Sequence, residues 1–167
     1  MLLGGPGKVV EVDEAKFGKR KFHRGRRVNG VWIFGILERG SNNCVVMPVE
    51  DRTEETLLSE IVKYVAPGAT IISDCWASYN GLKRLGYVHM KVNHSKFFKD
   101  PETGAHTNTV EGMWSIMRRS LPYGVSHSTF ASHVVEFIYL RRYFSNHDRG
   151  KYFPIFMKHL ADLGFMW

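Results

Sequence analysis

The pattern of hydrophobic and polar positions predicts a sheet-rich first third of the chain. Runs that are rich in β-branched residues lie at 8–13, 28–38 and 44–49, and turn-forming residues separate them. Three consecutive strands with short connections imply an antiparallel meander. Pro48 indicates that the third run is an edge strand or the end of a strand, because proline cannot donate a hydrogen bond to a neighbour.

The hydrophobic period changes after residue 50, from the two of a strand to the 3.6 of a helix. Thr53 is a helix N-cap followed by two acids, which is typical of a helix start. Strands that alternate with helices favour an α/β fold with a mixed sheet, here as one domain over 1–167. The elements predicted in this part are helices at 53–66, 76–85, 108–121, 128–146 and 152–163, strands at 69–73 and 87–93, and a polar loop at 94–107.

The charge of the chain favours a polyanionic partner such as DNA. The formal net charge is +7, and the stretch 16–27 carries seven Lys or Arg residues with no acid. A solvated hairpin loop or a localisation signal is the alternative for this stretch. The side chains predicted to contact DNA are Lys19, Arg20, Lys21, Arg24, Arg26 and Arg27, together with Arg118 and Arg119.

The low cysteine content and the lack of a long apolar run indicate the cellular location. Only two cysteines occur, Cys44 and Cys75, so a disulfide framework and a cysteine-based zinc site are both improbable and a reducing compartment is expected. No run of 18 apolar residues indicates a membrane span. We expect a nuclear protein in a eukaryote, or a cytoplasmic protein at the nucleoid in a bacterium.

Two aspartates follow predicted strands and are candidates for chemistry. Asp13 ends the first run and Asp74 follows the strand at 69–73. Ligand sites of α/β sheets lie at strand ends and in the loops beyond them. A turn or helix-cap role is the ordinary interpretation of each acid alone, and only the fold can bring the two together. Trp76, two residues after Asp74, is expected to pack beneath the strand end, with stacking on a base as the alternative.

The segment 106–119 supplies a third polar element on a predicted helix. One face carries Asn108, Glu111 and Arg118, and the opposite face carries apolar residues that would pack. The polar face suits a metal ligand beside a phosphate clamp. The alternative is a capping box in which Thr107 or Asn108 is the N-cap and Glu111 completes it.

Clustered carboxylates suit the chemistry of phosphodiesters. Two magnesium ions, roughly 3.5–4 Å apart, activate the nucleophile and stabilise the leaving oxygen. Magnesium prefers carboxylate, amide and water oxygens as ligands. The residues therefore favour metal-dependent chemistry on a nucleic acid, and a ribonuclease acting on an RNA–DNA hybrid would have the same kind of site.

Six motifs in order carry a resemblance to a known family over about residues 8–156. The chain resembles the catalytic domain of ISXO-type bacterial insertion sequences and of the eukaryotic Merlin DNA transposons. The resemblance implies a ribonuclease H-like fold, cut-and-paste DNA transposition, a pair of Mg²⁺ or Mn²⁺ ions, and action as a dimer. The motifs are VDEAKFGKRKFHRGR, VWIFGILERG, ISDCWASYNGL, VNHSKFF, HTNTVEGMWSIMRR and IYLRRYF.

The resemblance also implies the catalytic residues. Its two aspartates fall on Asp13 and Asp74. Bacterial relatives have an Asn and a downstream Lys, which match Asn108 and Arg118, whereas the Merlin group has a glutamate, which matches Glu111. Charge favours Glu111 as the third metal ligand with Asn108 beside it, because a carboxylate offsets two divalent cations better than an amide does.

One part of the family pattern is missing from the sequence. The N-terminal region that recognises transposon ends has no counterpart, so we expect 1–167 to be the catalytic domain without that region. This departure keeps open an alternative function. The fold would then serve as a domesticated, non-catalytic DNA-binding or interaction module.

Overall fold

The structure is a computed structural model, and it describes residues 2–17, 30–93, 100–101, 103–121, 127–145 and 148–164. The basic positions from Lys19 to Arg27 that were predicted to contact DNA lie outside the described residues. Its strands are β1 (Leu3–Gly4), β2 (Val9–Phe17), β3 (Val31–Glu38), β4 (Cys44–Val49), β5 (Val65–Ala66), β6 (Thr70–Asp74) and β7 (Val88–Val92). Its helices are α1 (Glu54–Tyr64), α2 (Asn108–Ser120), α3 (His127–Phe144) and α4 (Tyr152–Asp162), with a longer 3₁₀ segment at Ala77–Leu85 and a short one at Arg149–Lys151.

Five of the described strands form one mixed sheet in the order β4-β3-β2-β6-β7. Strands β2, β3 and β4 pair antiparallel, which confirms the predicted meander, and β2, β6 and β7 pair parallel. Strand β4 lies at one edge of this sheet, as Pro48 indicated. The short strands β1 and β5, which the hydrophobic pattern did not predict, pair separately.

The local sequence accounts for the helix that crosses from β4 to β6. Thr53 caps α1, because its side chain accepts a hydrogen bond from the backbone N–H of Thr56 at 3.3 Å. Leu57 and Ile61, one turn apart, are fully buried on its inner face. The 3₁₀ segment ends at Gly86, whose positive φ of 83° suits glycine.

The sheet has a hydrophobic core on each face. On one face α1 and the 3₁₀ segment cover side chains such as Val10, Val12 and Phe34. On the other face α2 and α3 cover Ile33, Phe17 and their neighbours. This three-layer arrangement puts α2 directly against β2, the strand that carries Asp13. No helix among the described residues is long and apolar enough to cross a membrane.

The prediction that the first strand ends at Asp13 was wrong. Strand β2 continues to Phe17, because β3 pairs with it along its whole length from Val10. On the opposite side, the parallel pairing with β6 runs only as far as Glu11. Asp13 therefore lies inside a strand, just beyond the point where pairing with one neighbour stops.

Candidate active site

Asp13 and Asp74 lie on neighbouring parallel strands. The pairing of β2 with β6 runs from Val9–Thr70 to Glu11–Ile72, so paired residues are 61 positions apart. The same offset separates Asp13 from Asp74. The register therefore brings the two aspartates to the same level at the edge where the strands separate.

Asp13 is a poorly solvated carboxylate that sits among other acids. The pKa of Asp13 is raised from 3.8 to about 6, mainly by burial and in part by the negative charges of Asp74 and Glu111. The indole N–H of Trp114 donates a hydrogen bond to its Oδ2 at 2.9 Å and acts in the opposite direction. Asp74 and Glu111 thus lie close enough to Asp13 to raise its pKa.

Asp74 and the first turn of α2 hold the other predicted ligands. The backbone N–H of Trp76 donates to Asp74 Oδ1 at 2.9 Å. Thr107 donates through its hydroxyl to Glu111 Oε1 at 2.9 Å. The amide oxygen of Asn108 is buried and has no hydrogen-bond partner.

Glu14 is a further acid at this edge, on the face of β2 opposite to Asp13. Burial raises its pKa to about 7, and the charge of Asp13 adds to the effect. Its Oε1 atom is buried and has no hydrogen-bond partner.

A carboxylate that sequence reasoning missed, Glu11, holds α2 against the sheet. Glu11 is fully buried. Its Oε2 accepts hydrogen bonds from the backbone N–H groups of Thr109 and Val110 at 3.0 and 2.9 Å. Its Oε1 accepts from the Thr109 hydroxyl at 2.7 Å and from Arg39 Nε at 2.5 Å. Glu11 therefore caps the helix that carries Asn108 and Glu111.

The capping box that was the alternative for this segment does not describe how α2 is capped. Thr107 is the N-cap residue, but its side chain makes no capping bond. The first N–H groups of the helix bond to Glu11 instead, which lies almost one hundred positions earlier. The sequence did contain a signal that Glu11 faces α2. Glu11 and Asp13 are two residues apart, and hence lie on the same face of a strand.

Arg39 extends this network to the loop before α2. Its Nη2 donates to the backbone oxygen of His106 at 2.5 Å and lies 2.9 Å from the Nδ1 atom of the same residue. Arg39 thus joins Glu11 on β2 to the residue that precedes Thr107. The position of the first turn of α2 depends on this buried ion pair.

A glycine allows α2 to approach the sheet closely. Gly35 on β3 is the cross-strand neighbour of Asp13. A Cβ atom at Gly35 would come within 2.5 Å of the Trp114 ring and 3.0 Å of Met113 Cε. The absence of that atom lets the indole lie against the strand and reach Asp13.

The cations predicted on α2 lie at the far end of the helix. Arg118 and Arg119 are exposed in its last turn. The guanidinium carbon of Arg118 lies 5.1 Å from the centre of the Phe17 ring, at the end of β2. Arg118 therefore lies over the same face of the sheet as Asp13, but near the end of β2, several residues beyond Asp13.

Comparison with models of protein families shows to which family the chain belongs. A family model described as an ISXO2-like transposase domain matches residues 1–145. The chain belongs to this transposase family. A search of curated proteins found no match.

Three solved structures similar to this transposase domain come from retroviral integrases and an intasome. The catalytic core of the BIV integrase has a TM-score of 0.52 at 10% identity, over 93% of this chain and 97% of that one. The HTLV-2 integrase core in complex with magnesium has a TM-score of 0.49 at 9% identity, over 87% and 91% of the two chains. A simian T-cell lymphotropic virus intasome chain has a TM-score of 0.48 at 12% identity, with 84% of this chain and 50% of that one covered. The fold is ribonuclease H-like, as the motifs implied.

The donor atoms of the transposase domain suit a hard divalent cation. Asp13, Asp74 and Glu111 supply carboxylate oxygens, and the buried amide oxygen of Asn108, in the same helical turn as Glu111, has no hydrogen-bond partner. Across the described ranges, however, no three acidic, histidine or cysteine side chains are close enough to enclose one metal ion. Each of the three carboxylates accepts a hydrogen bond from the protein, from Trp114, Trp76 or Thr107.

The structure also changes the interpretation of Trp76. Its side chain is 43% exposed and does not pack beneath the strand end as expected. The physical reason is that its backbone N–H bonds to Asp74 and its indole N–H donates to the carbonyl oxygen of Arg52 at 3.4 Å. Both bonds hold the ring at the surface.

Proposed function

We propose that this domain cleaves DNA and transfers strands with divalent cations held by Asp13, Asp74 and Glu111, as in cut-and-paste transposition. The observation that carries the proposal is the shared level of Asp13 and Asp74 on adjacent parallel strands, next to the first turn of α2. The raised pKa of Asp13 supports it, because an acid that lacks a compensating cation in the folded chain favours a bound metal ion.

Each residue of the site has a separate role in this proposal. A pair of Mg²⁺ or Mn²⁺ ions would activate the attacking oxygen, first of water and then of a freed 3′-hydroxyl, and would stabilise the leaving oxygen. Trp114 orients Asp13, and Glu11 positions the start of α2. Arg118 contacts a DNA phosphate, for which its planar guanidinium is suited. DNA is the substrate, two copies of the chain act together, and 1–167 is one catalytic domain.

Glu111 is the proposed third ligand, which places the chain with the Merlin-like members of the group. A third negative charge offsets two divalent cations better than an amide does. The unpartnered oxygen of Asn108 supports a place for this residue next to the metal. Loss of metal binding in Glu111→Gln but not in Asn108→Ala would support this order, and the reverse result would exchange the two roles.

Nicking of supercoiled plasmid DNA tests the proposal without knowledge of the transposon ends. Wild type with Mg²⁺ or Mn²⁺ is expected to nick the plasmid, whereas Asp74→Asn and Glu111→Gln are expected to lose about a thousandfold in rate, since metal ions contribute several kcal/mol. Glu136→Gln, which removes an acid from the exposed side of α3, is the control and should keep full activity. Preferential cleavage of an RNA–DNA hybrid would favour a ribonuclease instead.

A non-catalytic DNA-binding module is the second candidate. The observation that favours it is that no metal-enclosing group of three side chains lies in the described part of the chain. Calorimetry with Mn²⁺ separates the two functions. Binding by wild type and none by Asp74→Ala would support catalysis, and no binding even with DNA present would leave the non-catalytic module.

A further inference from the structure

Next to the candidate active site, an arginine side chain is stacked between two tryptophan rings. The guanidinium carbon of Arg52 lies 4.0 Å from the centre of the Trp32 ring and 4.7 Å from that of the Trp76 ring. Lys16 adds a second cation, with its Nζ atom 5.2 Å from the Trp32 ring centre. We call Trp32, Arg52 and Trp76 the aromatic stack.

One hydrogen bond joins the aromatic stack to Asp74, and a second joins it to Ser78. The Trp76 N–H bonds to the carboxylate of Asp74, and the carbonyl oxygen of Arg52 accepts a bond from Ser78 Oγ at 2.7 Å. The stack is therefore fixed relative to the proposed metal ligand, at the level where β6 ends. A group that binds to the stack lies beside the reacting phosphate of the proposed function.

The chemistry of the aromatic stack suits a nucleotide. Trp76 offers an exposed aromatic surface, and every nucleic-acid base can stack on such a surface whatever its sequence. Among the residues that the structure describes, no carboxylate lies within ion-pair distance of Arg52. Its charge counteracts the raised pKa of Glu14 without forming an ion pair, so the guanidinium can also bind a DNA phosphate while the two rings hold its plane.

We propose that the aromatic stack binds an unpaired DNA nucleotide next to the cleavage point, with its base on Trp76 and its phosphate on Arg52. Bases within duplex DNA are already stacked on their neighbours, so the stack selects single-stranded over double-stranded DNA. The proposal rests on the proposed function for its substrate, DNA. It adds a preference that the carboxylates alone do not imply.

Binding measured in EDTA tests this proposal separately from cleavage. The probe is a fluorescent oligothymidylate on the order of ten nucleotides long, compared with an abasic strand of equal length and with duplex DNA. We expect Trp76→Ala to bind oligothymidylate about tenfold more weakly, and Trp76→Phe, which keeps a ring, to lose less. Phe153→Ala removes an exposed aromatic residue from α4, at 71% exposure against 43% for Trp76, and is the control.

The abasic strand distinguishes stacking from charge and from a folding defect. Wild type is expected to prefer oligothymidylate over the abasic strand, and Trp76→Ala to lose this preference while its thermal midpoint and its affinity for duplex change little. Equal weakening on all three probes would overturn the proposal, as would unchanged affinity for oligothymidylate. If Trp76→Ala does not fold, quenching of wild-type tryptophan fluorescence by oligothymidylate but not by the abasic strand decides the question. Either result leaves the plasmid nicking assay to judge catalysis independently.

Discussion

Two carboxylates of β2, Glu11 and Asp13, point toward α2 and have opposite environments. Glu11 is fully buried, pairs with Arg39 and accepts three further hydrogen bonds from the start of the helix. Asp13 accepts a bond from Trp114 but, among the described residues, has no Lys or Arg partner, and its pKa is raised to about 6.

Under the proposed function, the difference separates a structural acid, Glu11, from a metal-binding one, Asp13. The charge of Glu11 is neutralised within the protein, so the network stabilises one position of α2. The charge of Asp13 is left uncompensated beside Asp74 and Glu111, which costs stability in the metal-free protein. Such a cost at a site is the expected consequence of reserving the carboxylate for an external cation.

The largest expected effect comes from removing the charge of Glu11. Glu11→Gln leaves Arg39 without its anion and weakens the cap of α2, so we expect the free energy of unfolding to fall by about 3 kcal/mol. Urea unfolding followed by circular dichroism measures this loss. Glu54→Gln, which breaks the exposed ion pair with Arg84, is the control and should cost less than about 1 kcal/mol. Equal losses in the two variants would remove the contrast with Asp13.

Neutralising Asp13 is expected to do the opposite. Asp13→Asn keeps an oxygen that can accept the hydrogen bond from Trp114. The variant should raise the free energy of unfolding by about 2 kcal/mol at pH 7.5 in EDTA. A pKa shift of two units is worth about 3 kcal/mol, and the partial exposure of the side chain reduces this value.

The sign of the pH dependence follows from the raised pKa. The folded protein holds the proton of Asp13 more tightly than the unfolded chain does, so this acid destabilises the fold fully above pH 6 and not at all below 3.8. The advantage of Asp13→Asn, measured by urea unfolding at each pH, should therefore fade between pH 6 and pH 4. A pH-independent gain, or a loss, would contradict the assigned cause.

A smaller effect is expected where Trp114 meets the sheet. Gly35→Ala would push a methyl group into the indole and displace α2, at about 1–2 kcal/mol of stability. Plasmid nicking should fall by more than this loss explains, because Glu111 moves with the helix. Gly112→Ala, on α2 with no atom within 4 Å of the new methyl group, is the matched control and should be neutral or stabilising. A Gly35→Ala variant as stable and active as the control would refute the close approach.

The smallest effect tests a single bond of the Glu11 network. Thr109→Val keeps the shape of the side chain but loses the hydroxyl that donates to Glu11 at 2.7 Å, which should cost about 1 kcal/mol. Urea unfolding of Ser115→Ala, which changes an exposed hydroxyl of the same helix, gives the comparison. If Thr109→Val is as stable as wild type, the carboxylate is held by Arg39 and the two N–H groups alone.

Local patterns determined most of the fold. Strand β4 and the start of α1 agree with their predicted positions, because alternation of apolar residues and an N-cap threonine act over a few residues. The same holds for α2, whose buried side chains are those of the predicted packing face, among them Trp114 and Met117. The motifs identified the family and the ribonuclease H-like fold, which the comparisons confirm.

Tertiary structure alone decided how the site is assembled. The backbone N–H groups at the start of α2 are capped by Glu11, and the indole that bonds to Asp13 belongs to a helix about one hundred residues away. The exposure of Trp76 depends likewise on its bond to the backbone of Arg52. Sequence spacing carries information over a few residues, whereas burial and charge compensation depend on every element that packs around a side chain. The amino-acid sequence therefore predicted Asp13, Asp74 and Glu111 as site residues. Only the folded chain shows that Glu11, on the same strand as Asp13, has a structural role instead.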